Sequence, residues 1–384
     1  RAPGTLESMT AIEHIMDHIA HASGIKPIDV RLANLSSEFK DAISEMVSTL
    51  KKSSEFDNRM EQIKKFNEEN RWKKRGMAMT IMKFGIIFFP GYYATVSIYT
   101  GDGSVVITSG GIEMGQGLNT KAAQVCAYAF GIGLDMIKVN SSMGFLAPGN
   151  PPSGGSITSD AVCSAVLTCC EELNSRLAPI KEKMKNPTWP SLIQAASQAG
   201  VQLVAIHSTS PNDPIPKDYP VYGATATEVE LDVLTGQYQI LRVDIIEDAG
   251  ESLNPSVDIG QIEGAFVMGL GYFGSEELKY DPNTGYNITH RTWDYYPPGA
   301  KDIPIDFRVT LRKNSPNPLG VLRSKTTGEP PLCMSYSMPL ALRQAVASAR
   351  KDAGLKDEWF SFNPPCTFEK TYLAAGTLPT DFTL

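Results

Sequence analysis

The chain has 384 residues, of which 20% are charged, and a formal net charge of −7 at pH 7. That balance argues against a nucleic-acid or anionic-membrane partner, either of which needs a basic face. The composition is ordinary for a globular protein, and the length is enough for a large core in two domains or subdomains.

No apolar run approaches membrane-spanning length, the longest candidate being Phe84 to Phe89. No signal peptide opens the chain. It does not begin with Met, so Arg1 is expected to be a cut inside a longer protein. The six cysteines, Cys126, Cys163, Cys169, Cys170, Cys333 and Cys366, have neither CxxC spacing nor a secreted-domain framework. They are expected to be buried and reduced, which fits the cytosol and leaves no basis for a zinc or iron–sulfur site in this segment.

From Leu6 to His21, Ile12, Ile15, Met16 and Ile19 recur at helical spacing and predict a buried face. His14, His18 and His21 fall opposite, beside Glu13 and Asp17; their spacing suits a metal but fits a solvated polar face equally well. Arg31 to Asn70 reads as helices and charged connections without site chemistry. At Trp72-Lys73-Lys74-Arg75-Gly76 the character changes, and a solvated turn and a subdomain boundary are expected there. Strand-like runs follow at Gly76 to Gly85, Tyr93 to Thr100 and, after a Gly101-Asp102-Gly103 turn, Ser104 to Thr108.

The next stretch, Gly110-Gly111-Ile112-Glu113-Met114-Gly115-Gln116-Gly117-Leu118-Asn119-Thr120-Lys121, leads into a helical pattern from Thr120 to about Phe130. Four glycines in eight residues let the backbone approach a ligand, and the following helix points its unpaired N–H groups at the loop. A plain turn explains the glycines too, and neither GxGxxG nor GxxxxGK[ST] is present. Asp135 to Ser141 reads as a strand. Pro151 to Asp160 then offers small hydroxyl and glycine residues before a helix from about Ala161 to Leu177, either a second anion cradle or helix caps at Ser156, Thr158 or Ser159. Two such loops in one chain favour a shared, extended anionic ligand.

Gly223 to Gly250 has the pattern of a hairpin about a Leu234-Thr235-Gly236 turn. A helix is predicted from Asn254-Pro255 to about Tyr272, thinned by Gly260, Gly264, Gly269 and Gly271 for close packing. Gly328-Glu329-Pro330-Pro331 precedes a helix from about Leu332 to Arg350. The prolines restrict Glu329 at a helix entrance, which suits a positioned base or, equally, an acidic residue complementing the helix dipole. Only His207 and His290 remain, in no motif, so no Ser-His-Asp or Cys-His arrangement can be drawn.

With those residues in view, the chain resembles the C-terminal part of the molybdenum hydroxylase family, which contains aldehyde oxidases and xanthine dehydrogenases. The matching blocks are GGIEMGQGLNTK, SGGSITSD, YGATATEVELDVLTG, SLNPSVDIGQIEGAFVMGLG and SKTTGEPPL, in the family's order and across nearly the whole chain. The terminal PCTFEKTYLAAGTL resembles the family's end segment. The resemblance implies an α+β fold: the C-terminal part of a molybdopterin-binding domain, with mixed sheets packed with helices in two subdomains, at residues 1–75 and 76–384. It implies a molybdenum–molybdopterin cofactor contacted by Met114, Gly115, Gln116 and Gly117, by Gly154, Gly155, Ser156, Ile157 and Thr158, and by Met268, with no side chain ligating the metal. Glu329 matches the family's base beside the metal, and Arg1 matches an active-site arginine.

The activity so implied is hydroxylation with water as the oxygen source. Met268 stands where many relatives carry glutamine. Pro3 stands where xanthine dehydrogenases carry a ring that packs on the purine, and the Phe88-Phe89 region replaces a threonine of the purine site. These departures favour a small-molecule aldehyde over xanthine. The family's 2Fe-2S and FAD domains, and the first half of its pterin site, are expected before Arg1, in a cytoplasmic homodimer. The competing readings are a xanthine dehydrogenase-type purine hydroxylase and a catalytically inactive binding or scaffold homologue.

Overall fold

A computed structural model describes residues 1–140, 142–144 and 149–382. Its elements, in chain order, are α1 Thr5–Ser23, α2 Pro27–Ala33, α3 Ser37–Ser53, α4 Phe56–Glu69, β1 Lys73–Ile86, β2 Tyr93–Ile98, β3 Val105–Ser109, α5 Leu118–Phe130, β4 Ile137–Val139, α6 Thr158–Glu182, α7 Trp189–Gln198, β5 Val204–Ser208, β6 Tyr219–Asp232, β7 Tyr238–Glu247, α8 Pro255–Gly274, β8 Asp306–Leu311, α9 Pro330–Met334, α10 Ser337–Asp352 and α11 Phe368–Ala375. The class is α+β, with two mixed sheets packed with helices, as the family resemblance implied. Ser141, the last residue of the strand expected at Asp135 to Ser141, lies outside the described residues.

One sheet runs β1-β6-β7-β8 and the other β4-β3-β2-β5. In the first, β1 and β6 pair antiparallel over 14 residues, from Lys73 opposite Asp232 to Ile86 opposite Tyr219. Side chains alternate across a strand, so Met77, Met79 and Ile81 enter a core with α2, α3 and α4. Ala78, Met82, Phe84 and Ile86 enter the larger core shared with α8, α9 and α10. Both faces are covered, which is why β1 reads as a nearly continuous apolar run. In the second sheet β2 alternates half-buried and buried residues, because only the side facing α6 is deeply packed.

Two expectations fail. The stretch Trp72 to Gly76 is no solvated turn: β1 begins at Lys73, Lys74 is fully buried with its Nζ on Asn67 O and paired with Asp352, and Arg75 pairs with Glu230 at 2.8 Å. A stretch of three basic residues is stable in a sheet here because acceptors on α4, α10 and β6 neutralise it. The second failure is the orientation of α1. Ile12, Ile15 and Ile19 are 42%, 52% and 46% exposed, whereas His14, His18 and His21 gather around Trp359 with ring centroids at 5.1, 4.3 and 5.8 Å. Arg343 lies over the same indole at 3.5 Å, and Glu13 is buried against Arg31 at 2.6 Å. His14 is half-buried and His18 and His21 stay exposed at the edge of the indole, a contact with a partner far along the chain that helical periodicity could not indicate. Among the described residues no group of His, Cys, Asp and Glu is placed to hold a metal.

The cysteines behave as expected: all six are buried and free. No helix among the described residues is long and apolar enough to cross a membrane. The closest packing of helix on sheet is at Gly76, where an added Cβ would lie 2.0 Å from Ala341 O of α10. Gly76→Ala is therefore expected to lower stability by about 1–3 kcal/mol through overpacking, read as a lower denaturant midpoint. An unchanged midpoint would mean that α10 does not rest on β1 at this residue.

Candidate functional site

The two glycine-containing loops meet. Ile112 N–H donates to Ser153 Oγ at 2.8 Å, and Gly110 sits so close to Asn150 that an added Cβ would be 2.0 Å from its Oδ1. The first loop, residues 110–117, follows β3 and turns into α5 through Gly115 and Gly117, at φ +102° and +78°. Gly117 also abuts the start of α8, where an added Cβ would be 2.7 Å from Val257. The positive φ and this approach both demand glycine.

The start of α5 is not open to a ligand, contrary to the cradle reading. Glu113 Oε1 accepts from Gly115 N and Gly117 N, both at 3.0 Å, and its Oε2 accepts from Asn119 N at 2.9 Å. A carboxylate of the loop itself answers the helix's orphan donors and dipole. Gln116 is likewise engaged within the loop: Met114 N–H donates to its Oε1 at 2.7 Å and its Nε2 donates to Ile112 O at 2.7 Å. This bracing leaves Met114 65% exposed at the tip, with open space at the Cα of Gly115.

The second loop enters α6 with Ile157 at the N-cap position and no side-chain cap, so the capping expected of Ser156, Thr158 or Ser159 does not occur. Thr158 Oγ1 instead accepts from Gly154 N at 3.1 Å. Ser156, at φ +59°, turns its Oγ to accept the Glu329 N–H at 2.8 Å. Gly154 has open space beside it.

Glu329 thus stands against the second loop, at the entrance of α9, a five-residue helix separated from α10. It does not cap that helix with its side chain, and among the described residues its carboxylate has no hydrogen-bond partner. The group is half-buried, and burial raises its pKa above the usual carboxylate value. The glycine before it is hemmed in: an added Cβ on Gly328 would be 2.9 Å from Ser156 Oγ and 3.4 Å from Gln261 Oε1. Gln261, on α8, thus stands beside the segment that carries Glu329, a neighbour the sequence reading passed over within a block it had matched.

Further along α8, Gly269 packs against the end of α9, where an added Cβ would be 2.0 Å from Ser335 Oγ. Arg1 Nη1 donates to Met268 O at 3.1 Å and to Glu276 Oε1 at 2.7 Å, and Arg1 Nη2 donates to Tyr295 Oη at 2.8 Å. The Glu276 carboxylate raises the guanidinium pKa, so Arg1 is a fixed, paired cation. Buried Ala2, at φ +41°, turns the chain so that Arg1 reaches this partner. Pro3 is exposed next to it. Phe88 and Phe89 are not gathered with this group: they line a cavity of about 420 Å³ with Ala161, Thr209 and Pro216, and Phe88 packs on Tyr219 at 5.7 Å.

Beneath both loops runs a buried polar network. Lys121 of α5 pairs with Asp258 of α8 at 2.7 Å, and Asp258 also accepts from Ser252 Oγ at 2.5 Å and Thr327 Oγ1 at 3.1 Å. Tyr219 Oη donates to Asp160 of α6 at 2.6 Å and accepts from Thr326 N at 2.9 Å. Burial pushes Asp160 up to about 6. The network ties the helix after each loop to the segment that delivers Glu329.

A family model of the molybdopterin cofactor-binding domain matches residues 49–304. The chain belongs to that family. This molybdopterin-binding chain is 38% identical over 401 residues to a xanthine dehydrogenase of Drosophila pseudoobscura pseudoobscura, covering 97% of the chain and 29% of the relative. It is also 38% identical over 376 residues to an indole-3-acetaldehyde oxidase of Arabidopsis thaliana, covering 91% of the chain and 28% of the relative. The chain therefore spans less than a third of the length of these relatives. Its fold matches a CO dehydrogenase from Oligotropha carboxidovorans at TM-score 0.81 and 17% identity, over 96% of this chain and 51% of that one. It matches the aldehyde oxidoreductase from Desulfovibrio gigas at TM-score 0.80 and 22% identity, over 98% of this chain and 41% of that one.

The buried ion pair yields a direct test. Removing one partner strands a buried charge, so Lys121→Met is expected to lower stability by about 3–5 kcal/mol. Lys121→Met combined with Asp258→Asn is expected to cost clearly less than the sum of the single changes. Additive losses in a double-mutant cycle of denaturant unfolding would mean that the two groups are not coupled.

Proposed function

We propose that the chain is the molybdenum-site portion of a larger enzyme that oxidises aldehydes to carboxylic acids: aldehyde and water give acid, two protons and two electrons. The observation that carries this reading is Glu329, a half-buried carboxylate with its backbone held by Ser156 and its side chain left unpaired. A structural acid in the same place would be expected to hold a hydrogen bond or an ion pair.

The residues present fit a flat pterin and its phosphate. Gly115 and Gly154 have open space above their Cα atoms, where a ring can lie against the backbone. Gln116, Gly155, Ser156, Ile157 and Thr158 supply amide and hydroxyl groups around the junction of the loops, with Met114, Gly117, Gln261 and Met268 alongside. A phosphate is not expected at the start of α5, because Glu113 already fills it. When bound, the molybdenum–pterin group supplies the oxygen-transfer and electron-accepting chemistry.

The rest is done by this chain. Glu329 takes the proton released as water-derived oxygen becomes a nucleophile, and the rigid approach through Pro330 and Pro331 spares it the cost of being ordered. Arg1, braced by Glu276 and Tyr295, presents a fixed cation that orients the substrate carbonyl. Electrons leave through 2Fe-2S and FAD domains outside this chain, in a cytoplasmic homodimer.

Glu329→Gln is expected to lower kcat of the intact enzyme by about 10²–10⁴-fold while bound molybdenum is unchanged. Near-normal turnover would remove Glu329 from the base role. Its raised pKa carries a second consequence. Glu329 acts ionised, and burial disfavours that form, so the acid limb of kcat/KM is expected at a higher pH than for an ordinary glutamate and is lost in Glu329→Gln.

The choice of an aldehyde rests on the lining. A purine needs ring surfaces to sandwich it and donors for its carbonyl oxygens, since unpaired buried polar groups are costly. Pro3 offers no ring, and Met268 is an exposed apolar side chain beside Arg1. An aryl or alkyl aldehyde asks for one oriented carbonyl and gains about 0.8 kcal/mol per buried CH₂. Specificity constants of the intact enzyme on benzaldehyde, a medium-chain aldehyde and xanthine decide the matter. Preference for xanthine over both aldehydes would overturn this reading in favour of purine hydroxylation.

A further inference from the structure

A large cavity lies next to the segment that braces Arg1, and Glu329 is not among its lining residues. It has a volume of about 1030 Å³, at the upper end of the range for small-molecule sites. Its relation to the active site is fixed by Gly271. An added Cβ there would meet both Glu276 Oε1, which holds Arg1, at 2.2 Å and Pro298, which lines the cavity, at 2.5 Å. Its floor reaches buried Leu270, Ile240 and Met338. Tyr238, Tyr296 and Phe368 add ring surface to the walls.

One group inside points to a ligand. Tyr238 Oη lies beside Gly274, where an added Cβ would be 2.6 Å away, and among the described residues it makes no hydrogen bond. Burial raises the phenol pKa well above its ordinary value, so the hydroxyl stays protonated and donates. Half-buried Tyr238 thus presents a donor to the cavity that no side chain of this protein occupies, free for an acceptor on a molecule that enters. The rim offers no free charge of one dominant sign. Glu277 is held by Lys279 at 3.1 Å and Lys370 at 2.9 Å, Asp302 takes the Gly299 N–H at 2.7 Å, and Lys301, Arg291, Asp294 and Glu369 are of mixed sign.

We infer that this cavity is a second small-molecule site, separate from the oxidation site, for a neutral aromatic compound that places a carbonyl or ring-nitrogen acceptor against the Tyr238 hydroxyl. Gly274 is what keeps that hydroxyl accessible, since any side chain there would cover it.

Acetophenone is a suitable probe: it is neutral and aromatic, carries one acceptor, and has no hydrogen on the carbonyl carbon to be oxidised. Ethylbenzene, of the same shape without the acceptor, and the anion benzoate serve as controls. Ligand-observed NMR on the intact protein is expected to give a Kd for acetophenone below about 1 mM, tighter than for ethylbenzene or benzoate. Tyr238→Phe is expected to weaken acetophenone about three- to tenfold and to leave ethylbenzene within about twofold. Tyr296→Ala, at an exposed position that folding does not depend on, is expected to weaken both. The inference is overturned if acetophenone does not bind, if both variants bind it as the parent does, or if Arg1→Ala rather than Tyr238→Phe abolishes binding. None of these readouts requires turnover, so they stand whether or not the enzyme oxidises aldehydes.

Discussion

The buried pair between Lys121 and Asp258 is the interaction on which the rest of this site depends. Two charges removed from water are tolerable only if each is answered, and Asp258 is answered three times, by Lys121, Ser252 and Thr327. Lys121 belongs to the helix after the first loop, Asp258 to the first turn of α8, and Thr327 lies two residues before Glu329. A single carboxylate therefore fixes the relative positions of one loop, the helix bearing Gln261 and Met268, and the approach to Glu329. The neighbouring Asp160–Tyr219–Thr326 contacts do the same for the second loop.

This arrangement frees the groups at the surface of the site from structural duty. Glu113 fills the start of α5, and Gln116 closes the loop tip on itself, so the tip holds its shape through its own hydrogen bonds. Ser156, at a left-handed φ, is an anchor for the Glu329 backbone. Glu329 is thereby positioned through main-chain contacts while its carboxylate stays unpaired in partial burial, the condition under which a carboxylate is a stronger base than it is in water. Arg1 illustrates the opposite solution, a cation whose geometry is set by pairing it with Glu276 and Tyr295.

The faces that look outward fit a chain spanning under a third of its relatives' length. Ile12, Ile15 and Ile19 on α1, and Ile112, Met114 and Met268 about the site, leave apolar surface in water. Exposed apolar side chains of this kind are available for contact with a flat ligand or with another protein surface.

The local pattern determined a good deal. The hairpin of β6 and β7 about Gly236, the helix starting at Asn254-Pro255, the buried thiols, the α+β class and the two loops placed before helices could all be read from periodicity, turn chemistry and matched blocks, because each depends on neighbours in the chain. Only the tertiary structure decided which face of α1 is buried, since Trp359 and Arg343 lie more than 300 residues away. The same is true of Lys74, whose charge enters the core because Asp352 and Asn67 O meet it there. Sequence pointed to the start of α5 as an anion site, whereas the fold gave that position to Glu113. Sequence also grouped Phe88 and Phe89 with Pro3 in one pocket, and the fold set them against residues 209–218 instead. In every such case, spacing along the chain reported what a residue's neighbours allow, while long-range pairing settled which of several satisfactory partners it takes.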